Sequence, residues 1–229
     1  FRYVVVLTVF IRNSEAILGF DTAQAIPPER FKCLQRHNYS FFIARVYRSL
    51  GSADPVGIQN IKNARIAGWT DIDAYIFPCL RSRCSPPEIQ VKDALYHLKH
   101  EGVEVGTIWL DIEVFMWPDN VTYNRNFIDA MGNFLNETGI KWGIYTNNYH
   151  WRKIVGIEWN KWASKPLWWP SYNKHQVRIV ISLEKALEAT DAFQNFTGFV
   201  PFGGWKKPYM HQYAGLVNVT ECGVTIDFD

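Results

Sequence analysis

One alternation limits what this chain can fold into. Short runs of β-branched and aromatic residues recur between amphipathic segments that open on proline and close on glycine. The strand candidates are 17–24, 41–47, 73–77, 107–113, 141–147, 167–172, 210–213 and 223–228. Helical patterns separate the first five. Pro27-Pro28-Glu29 opens the first, with proline and an acid in its first turn. The second covers 56–67 and stops at Gly68. The third opens at Pro86-Pro87-Glu88 and stops at Gly102, and the fourth covers 123–137 and stops at Gly139. Glycine near a helix C-cap and a short return suit successive β–α units. This pattern predicts an α/β fold, a single-domain modified (β/α) barrel of the TIM type over 17–229. Its second half should be irregular, because few helices separate the last strands. A doubly wound nucleotide-binding sheet is the weaker choice, since no GxGxxG follows the first strand and no Walker lysine motif occurs.

With 229 residues the chain fits one such domain and can build its own core. A formal charge of +2 with scattered Lys and Arg argues against a nucleic-acid partner. The aromatic content is 16%, and nine of the ten Trp lie at or after Trp109. Such residues either fill a core or form platforms for the apolar faces of sugars.

The N-terminus reads as a signal peptide over 1–16. Arg2 precedes an apolar run from Val4 to Ile11, too short to span a bilayer as a helix, and Ser14-Glu15-Ala16 offers small residues for cleavage. A short buried strand is the alternative. The rest of the chain holds no run of spanning length, so the expected product is secreted and extracellular, without a membrane partner. Cys33, Cys79, Cys84 and Cys222 agree with that compartment: they are even in number and form no C-x-x-C pair. Cys79 and Cys84 are near enough to close a short loop, leaving Cys33 with Cys222, one of three pairings available. N-x-[ST] sequons begin at Asn38, Asn120, Asn136, Asn195 and Asn218, so glycosylation is expected if the chain is secreted.

The chemistry concentrates at strand ends. In Thr107-Ile108-Trp109-Leu110-Asp111-Ile112-Glu113 the residues alternate strictly. Ile108, Leu110 and Ile112 should face the helices, and Trp109, Asp111 and Glu113 the barrel axis. The two carboxylates then project the same way with Cα atoms about 6.6 Å apart, at the end of the strand where such barrels place active sites. Mutual repulsion should raise the pKa of one member, as general-acid cleavage of a glycosidic bond requires. Taken alone, a D-x-E on a strand could equally serve salt bridges. The same inward parity is expected of Asp21, Arg45, Tyr47, Tyr75, Tyr145, Trp168, Tyr172 and Gln212. Asp227 lies on a last strand that should close against the first. Four acids, several tyrosines and a Trp around one mouth suit a carbohydrate better than a metal or a nucleophile. The six histidines form no H-E-x-x-H, and no G-x-S-x-G occurs.

Gly19-Phe20-Asp21, Ile108-Trp109-Leu110-Asp111-Ile112-Glu113, Ile144-Tyr145-Thr146, Leu167-Trp168-Trp169, His211-Gln212-Tyr213 and Ile226-Asp227 resemble the lysozymes of glycoside hydrolase family 25. Longer runs at 41–45, 57–64, 75–79, 143–149 and 196–205 resemble its nematode members in particular. The resemblance runs from residue 17 to the end of the chain. It implies a secreted, monomeric muramidase that cuts the β-1,4 bond between N-acetylmuramic acid and N-acetylglucosamine in the peptidoglycan of bacterial cell walls, for digestion or defence. It implies no metal and no cofactor. By motif, Glu113 resembles the general acid/base. Asp111 resembles the carboxylate that assists it or supports the substrate's N-acetyl group. Asp21 and Asp227 resemble the flanking acids, and Tyr75, Tyr145, Trp168 and Gln212 the lining of the site; inward parity adds Arg45 and Tyr172 to the expected substrate-binding wall.

One segment departs from that pattern. Where the family passes quickly to a Phe-Thr-Gly-Phe run, this chain inserts 177–194, which begins Val-Arg and ends Phe-Gln. GT and CAG codon readings at its two ends would suit a retained intron; a genuine insertion is the alternative. Two other functions compete. A chitinase-like hydrolase would carry an extra Asp where Trp109 stands. A cell-wall sugar-binding protein without catalysis would be expected to have lost Asp111 or Glu113.

Overall fold

The computed structural model describes residues 17–172, 180–181 and 196–229. The expected signal peptide and most of 177–194 lie outside the described residues. The elements run β1 (Leu18–Thr22), α1 (Pro28–Arg36), β2 (Tyr39–Arg48), β3 (Ser52–Ala53), α2 (Pro55–Ile66), β4 (Asp71–Ile76), α3 (Pro87–His100), β5 (Thr107–Asp111), α4 (Val121–Thr138), β6 (Lys141–Tyr145), α5 (Asn148–Ile154), β7 (Leu167–Pro170), β8 (Val180–Ile181), β9 (Met210–Gln212), β10 (Ala214–Val219) and β11 (Val224–Phe228).

The sheet order is β8-β10-β11-β1-β2-β4-β5-β6-β7-β9, with the hairpin strand β3 beside β2. From β1 to β9 the main strands are parallel, whereas β11 lies antiparallel to β1 with Asp227 opposite Asp21. The far edge comes back to the start: Tyr213 N–H donates to Phe228 O just past β9. The result is a nearly closed barrel, regular through β6 and irregular after α5, as the alternation predicts.

Local chemistry explains the helix ends. Asp54 caps α2 by accepting from Val56 N–H at 3.1 Å, and Asn120 and Asn147 cap α4 and α5 in the same way. Gly139 ends α4 at φ 72°, a left-handed turn that costs glycine nothing. Gly57 has a different task. A Cβ there would come within 1.7 Å of Arg45 O, so only glycine lets α2 lie directly on β2.

Two apolar cores follow from strand parity. Ile108, Leu110 and Ile112 belong to the larger one between sheet and helices. Ile43, Tyr75, Trp109, Tyr145 and Trp168 fill the barrel, with Phe41, Phe77 and Met210 packed against them. Trp109 fits because Gly143, on the adjacent strand, leaves its ring the space. Most of the late tryptophans are core residues: Trp142 packs on Trp162, and Trp151 on Trp159 and Trp205.

Two expectations need correction. Tyr47 does not face the barrel axis. A bulge between Arg45 and Tyr47 interrupts the register with β4, and Tyr47 turns into the helix-side core. β5 ends at Asp111, so Glu113 sits in the following loop rather than on the strand. Both disulfides form as expected, Cys33–Cys222 with a sequence separation of 189 and Cys79–Cys84 with a separation of 5. No helix among the described residues is long and apolar enough to cross a membrane.

Candidate active site

At the C-terminal ends of the parallel strands lies a cavity of about 200 Å³. Asp21, Arg45, Tyr75, Asp111, Glu113, Tyr145, Trp168, Tyr172, Gln212 and Asp227 all line it, together with Phe77. The structure thus brings together the ten residues expected to be catalytic or substrate-binding, while Tyr47, given the same parity, lies in the helix-side core. Strand pairing accounts for most of this. β1, β2, β4, β5, β6, β7 and β9 each deliver one inward side chain near their C-terminal ends, and β11 adds Asp227 from the antiparallel side.

A hydrogen-bond chain organises the wall between β9 and β1. Tyr145 and Tyr172 donate their hydroxyls to Gln212 Oε1, at 2.7 and 2.5 Å, and Gln212 Nε2 donates to Asp21 Oδ1 at 2.5 Å. Across the cavity Arg45 Nε bonds Asp54 Oδ2 at 2.7 Å, so the cap of α2 also holds the one cation that lines the cavity among the described residues. Trp168 meets Tyr145 edge to face at 4.6 Å between ring centroids and donates its indole N–H to Asp229.

Asp229 is a fifth acid of this cluster, itself buried and absent from the sequence-derived set. Its backbone pairs with Gly19, and its Oδ1 accepts from Trp168 Nε1 at 2.8 Å. The spacing in Asp227-Phe228-Asp229 repeats that of Asp111-Ile112-Glu113, which is the signal that could have found it.

These acids share little solvent, and every pKa among them moves up. Burial is the largest cause for Asp21, with Asp227, Asp229 and Asp111 adding repulsion and the Gln212 amide opposing it. Burial and then the Glu113 charge raise Asp111, and Arg45 acts against them. Glu113 is raised by burial first and then by Asp227. Within the D-x-E pair the repulsion therefore lifts Asp111, the more deeply buried of the two, whereas the lift of Glu113 expected from Asp111 comes instead from burial and Asp227. Among the described residues no donor reaches Asp111 Oδ1. A carboxylate oxygen left bare in a cavity can accept from a ligand's N–H or O–H without first losing a partner.

A wider groove of about 960 Å³ opens beside the cavity and shares Glu113, Tyr145 and Tyr172 with it. Asn148, Arg152, Trp169 and Ser171 line its outer part. Glu113 thus lines both the smaller space and the wider one.

The same chain matches known proteins along most of its length. The family model described as "Lysozyme-like protein 1" matches residues 12–213. Lysozyme-like protein 5 of Caenorhabditis elegans is 40% identical, over 94% of this chain and 92% of the relative. Probable GH family 25 lysozyme 5 of Dictyostelium discoideum is 34% identical, over 97% and 94%.

The chain belongs to the glycoside hydrolase family 25 lysozymes.

The barrel agrees with that membership. A solved muramidase from Trichobolus zukalii superposes with a TM-score of 0.65 at 20% identity, covering 93% of this chain and 92% of the other, and so shares the fold. As a family 25 lysozyme the chain is a glycoside hydrolase.

Proposed function

We propose that this family 25 lysozyme is a secreted, monomeric N-acetylmuramidase that hydrolyses β-1,4 bonds between N-acetylmuramic acid and N-acetylglucosamine in bacterial peptidoglycan. The observation that carries the reading is Glu113, an acid of raised pKa that lines both a small acidic cavity and the wider groove beside it. A general acid must hold its proton until the glycosidic oxygen arrives, and burial beside Asp227 favours the protonated form. Glu113 donates that proton to the leaving oxygen. Asp111 lies one inward position deeper, and its bare oxygen accepts the N–H of the substrate's N-acetyl group or faces the positive charge that develops on the sugar. Asp21 and Asp227 flank the reacting ring, while Trp168 and Tyr75 give it an aromatic wall.

Secretion is supported by two disulfides and by exposed asparagines at the sequons of Asn38, Asn120, Asn136 and Asn218. The test is digestion of purified peptidoglycan followed by identification of the sugar that carries each new reducing end. N-acetylmuramic acid at those ends is the expected result. N-acetylglucosamine there, or binding without cleavage, overturns the reading.

A further inference from the structure

Glu113 belongs to no strand, so something other than the sheet must fix its loop. The residue before it is tied twice. Ile112 N–H donates to Tyr145 O at 2.8 Å, and Thr146 Oγ1 donates to Ile112 O at 2.7 Å. The residue after it is tied by a side chain: Val114 N–H donates to His150 Nδ1 at 3.0 Å. All three partners come from the end of β6 and the start of α5. Packing gives the second tie little help, because Val114 and Met116 are 46% and 54% exposed. Phe115 leans on Phe77 but is itself exposed.

The imidazole is prepared for this bond. A ring that accepts at Nδ1 carries its proton on Nε2 and is neutral. Burial moves the His150 pKa down, in the same direction. The backbone beneath the ring is fixed by Asn147, whose Oδ1 accepts from His150 N–H at 3.0 Å and whose Nδ2 donates to Pro170 O at 3.3 Å.

We propose that His150 is a positioning residue for Glu113, a neutral acceptor that closes a clamp begun by Tyr145 and Thr146 and holds the general acid at the cavity mouth. The proposal rests on the role given to Glu113 above. Catalysis is sensitive to such placement, since an error of about 1 Å can cost on the order of 10²-fold in rate. His150 also borders the groove, and a direct contact with bound glycan would register in KM rather than kcat.

His150→Ala is expected to lower kcat on soluble peptidoglycan fragments by roughly 10–100-fold while KM moves less than about twofold. His150→Asn should recover most of that loss, because its Oδ1 leaves the same Cγ as the imidazole Nδ1 and can accept the same N–H. Amide hydrogen exchange adds a readout that needs no turnover: Val114 N–H should be protected in the wild type and in His150→Asn, and exchange faster in His150→Ala. Unchanged kcat in His150→Ala, an Asn variant as impaired as the Ala variant, or equal Val114 exchange in all three overturns the proposal. A wild-type chain that leaves peptidoglycan uncut overturns the muramidase reading instead, and the exchange measurement then decides by itself whether the tie exists.

Discussion

Asp73 on β4 and Asp111 on β5 project into the same barrel, one near its floor and the other at its mouth. Both lie in surroundings that raise a carboxyl pKa, burial being the first cause in each case. Their partners differ. Asp73 Oδ1 accepts from Thr107 N–H at 2.7 Å and Oδ2 from Trp109 Nε1 at 2.9 Å, so each oxygen has a donor. Asp111 keeps one oxygen without any, and its neighbours are a second acid and a cation, Glu113 and Arg45. A carboxylate with a frame donor on each oxygen is tied into the frame. A buried acid left short of a donor is maintained at a cost to stability and is available for chemistry.

The mouth should be the more sensitive end for rate. Glu113→Gln keeps shape and hydrogen-bonding reach but has no proton to give. It should lower lysis of peptidoglycan by roughly 10²–10⁴-fold, with little change in melting temperature. Asp111→Asn should also slow lysis, by less, because it takes away charge and leaves the proton donor in place. Wild-type lysis by Glu113→Gln in a turbidity assay would remove the distinction between the two aspartates at its root.

The floor should be the more sensitive end for stability. Asp73→Asn sets an amide NH₂ against either Thr107 N–H or Trp109 Nε1–H, leaving a buried donor unmet at about 1–3 kcal/mol. Thermal denaturation should show that loss, while kcat per folded molecule stays near wild type. A large fall in kcat with an unchanged melting temperature would show that Asp73 acts on the chemistry.

Asp229 offers the smallest and most discriminating effect. Its pKa is raised well above 3.8, burial being the first cause. A group raised on folding stabilises fully below its unfolded pKa, and that contribution is lost as pH rises through the folded value. Since Asp21, Asp111, Glu113 and Asp227 shift the same way, the melting temperature should fall as pH climbs from about 4. Asp229→Asn can still accept from Trp168 and carries no charge. It should melt at a higher temperature than the wild type at pH 7, and the difference should vanish as pH falls below the unfolded carboxyl pKa of about 3.9. Equal melting curves for the two proteins at pH 7 would mean that the acid cluster imposes no penalty there.

Much of this was legible because parity carries far in a parallel barrel. Once Trp109, Asp111 and Glu113 are aligned on one face, the levels of Tyr75 and Tyr145 follow from adjacent register. What escaped broke a period or fell outside a run. The bulge after Arg45 reversed Tyr47, and nothing in the residue types of Arg45-Val46-Tyr47 marks a bulge. α5 has only seven residues and two buried ones, Trp151 and Ile154, too few to show a helical period. His150 went unnoticed for the same reason, since its partner is a backbone N–H, which no residue type announces. β10 begins on Ala214-Gly215, weak strand formers, and the expected last strand stopped one residue before Asp229.

The Cys33–Cys222 bond joins α1 to the turn that precedes β11, so 189 positions of sequence separation become one covalent ring. Any single peptide bond cut inside that ring yields two pieces that remain one molecule. β11 still lies beside β1, and Asp227 still faces Asp21, because the crosslink and the ladder hold the pieces together on opposite flanks of the seam. One nick therefore leaves the fragments joined, and a second cut, or reduction of the bond, is needed before they part.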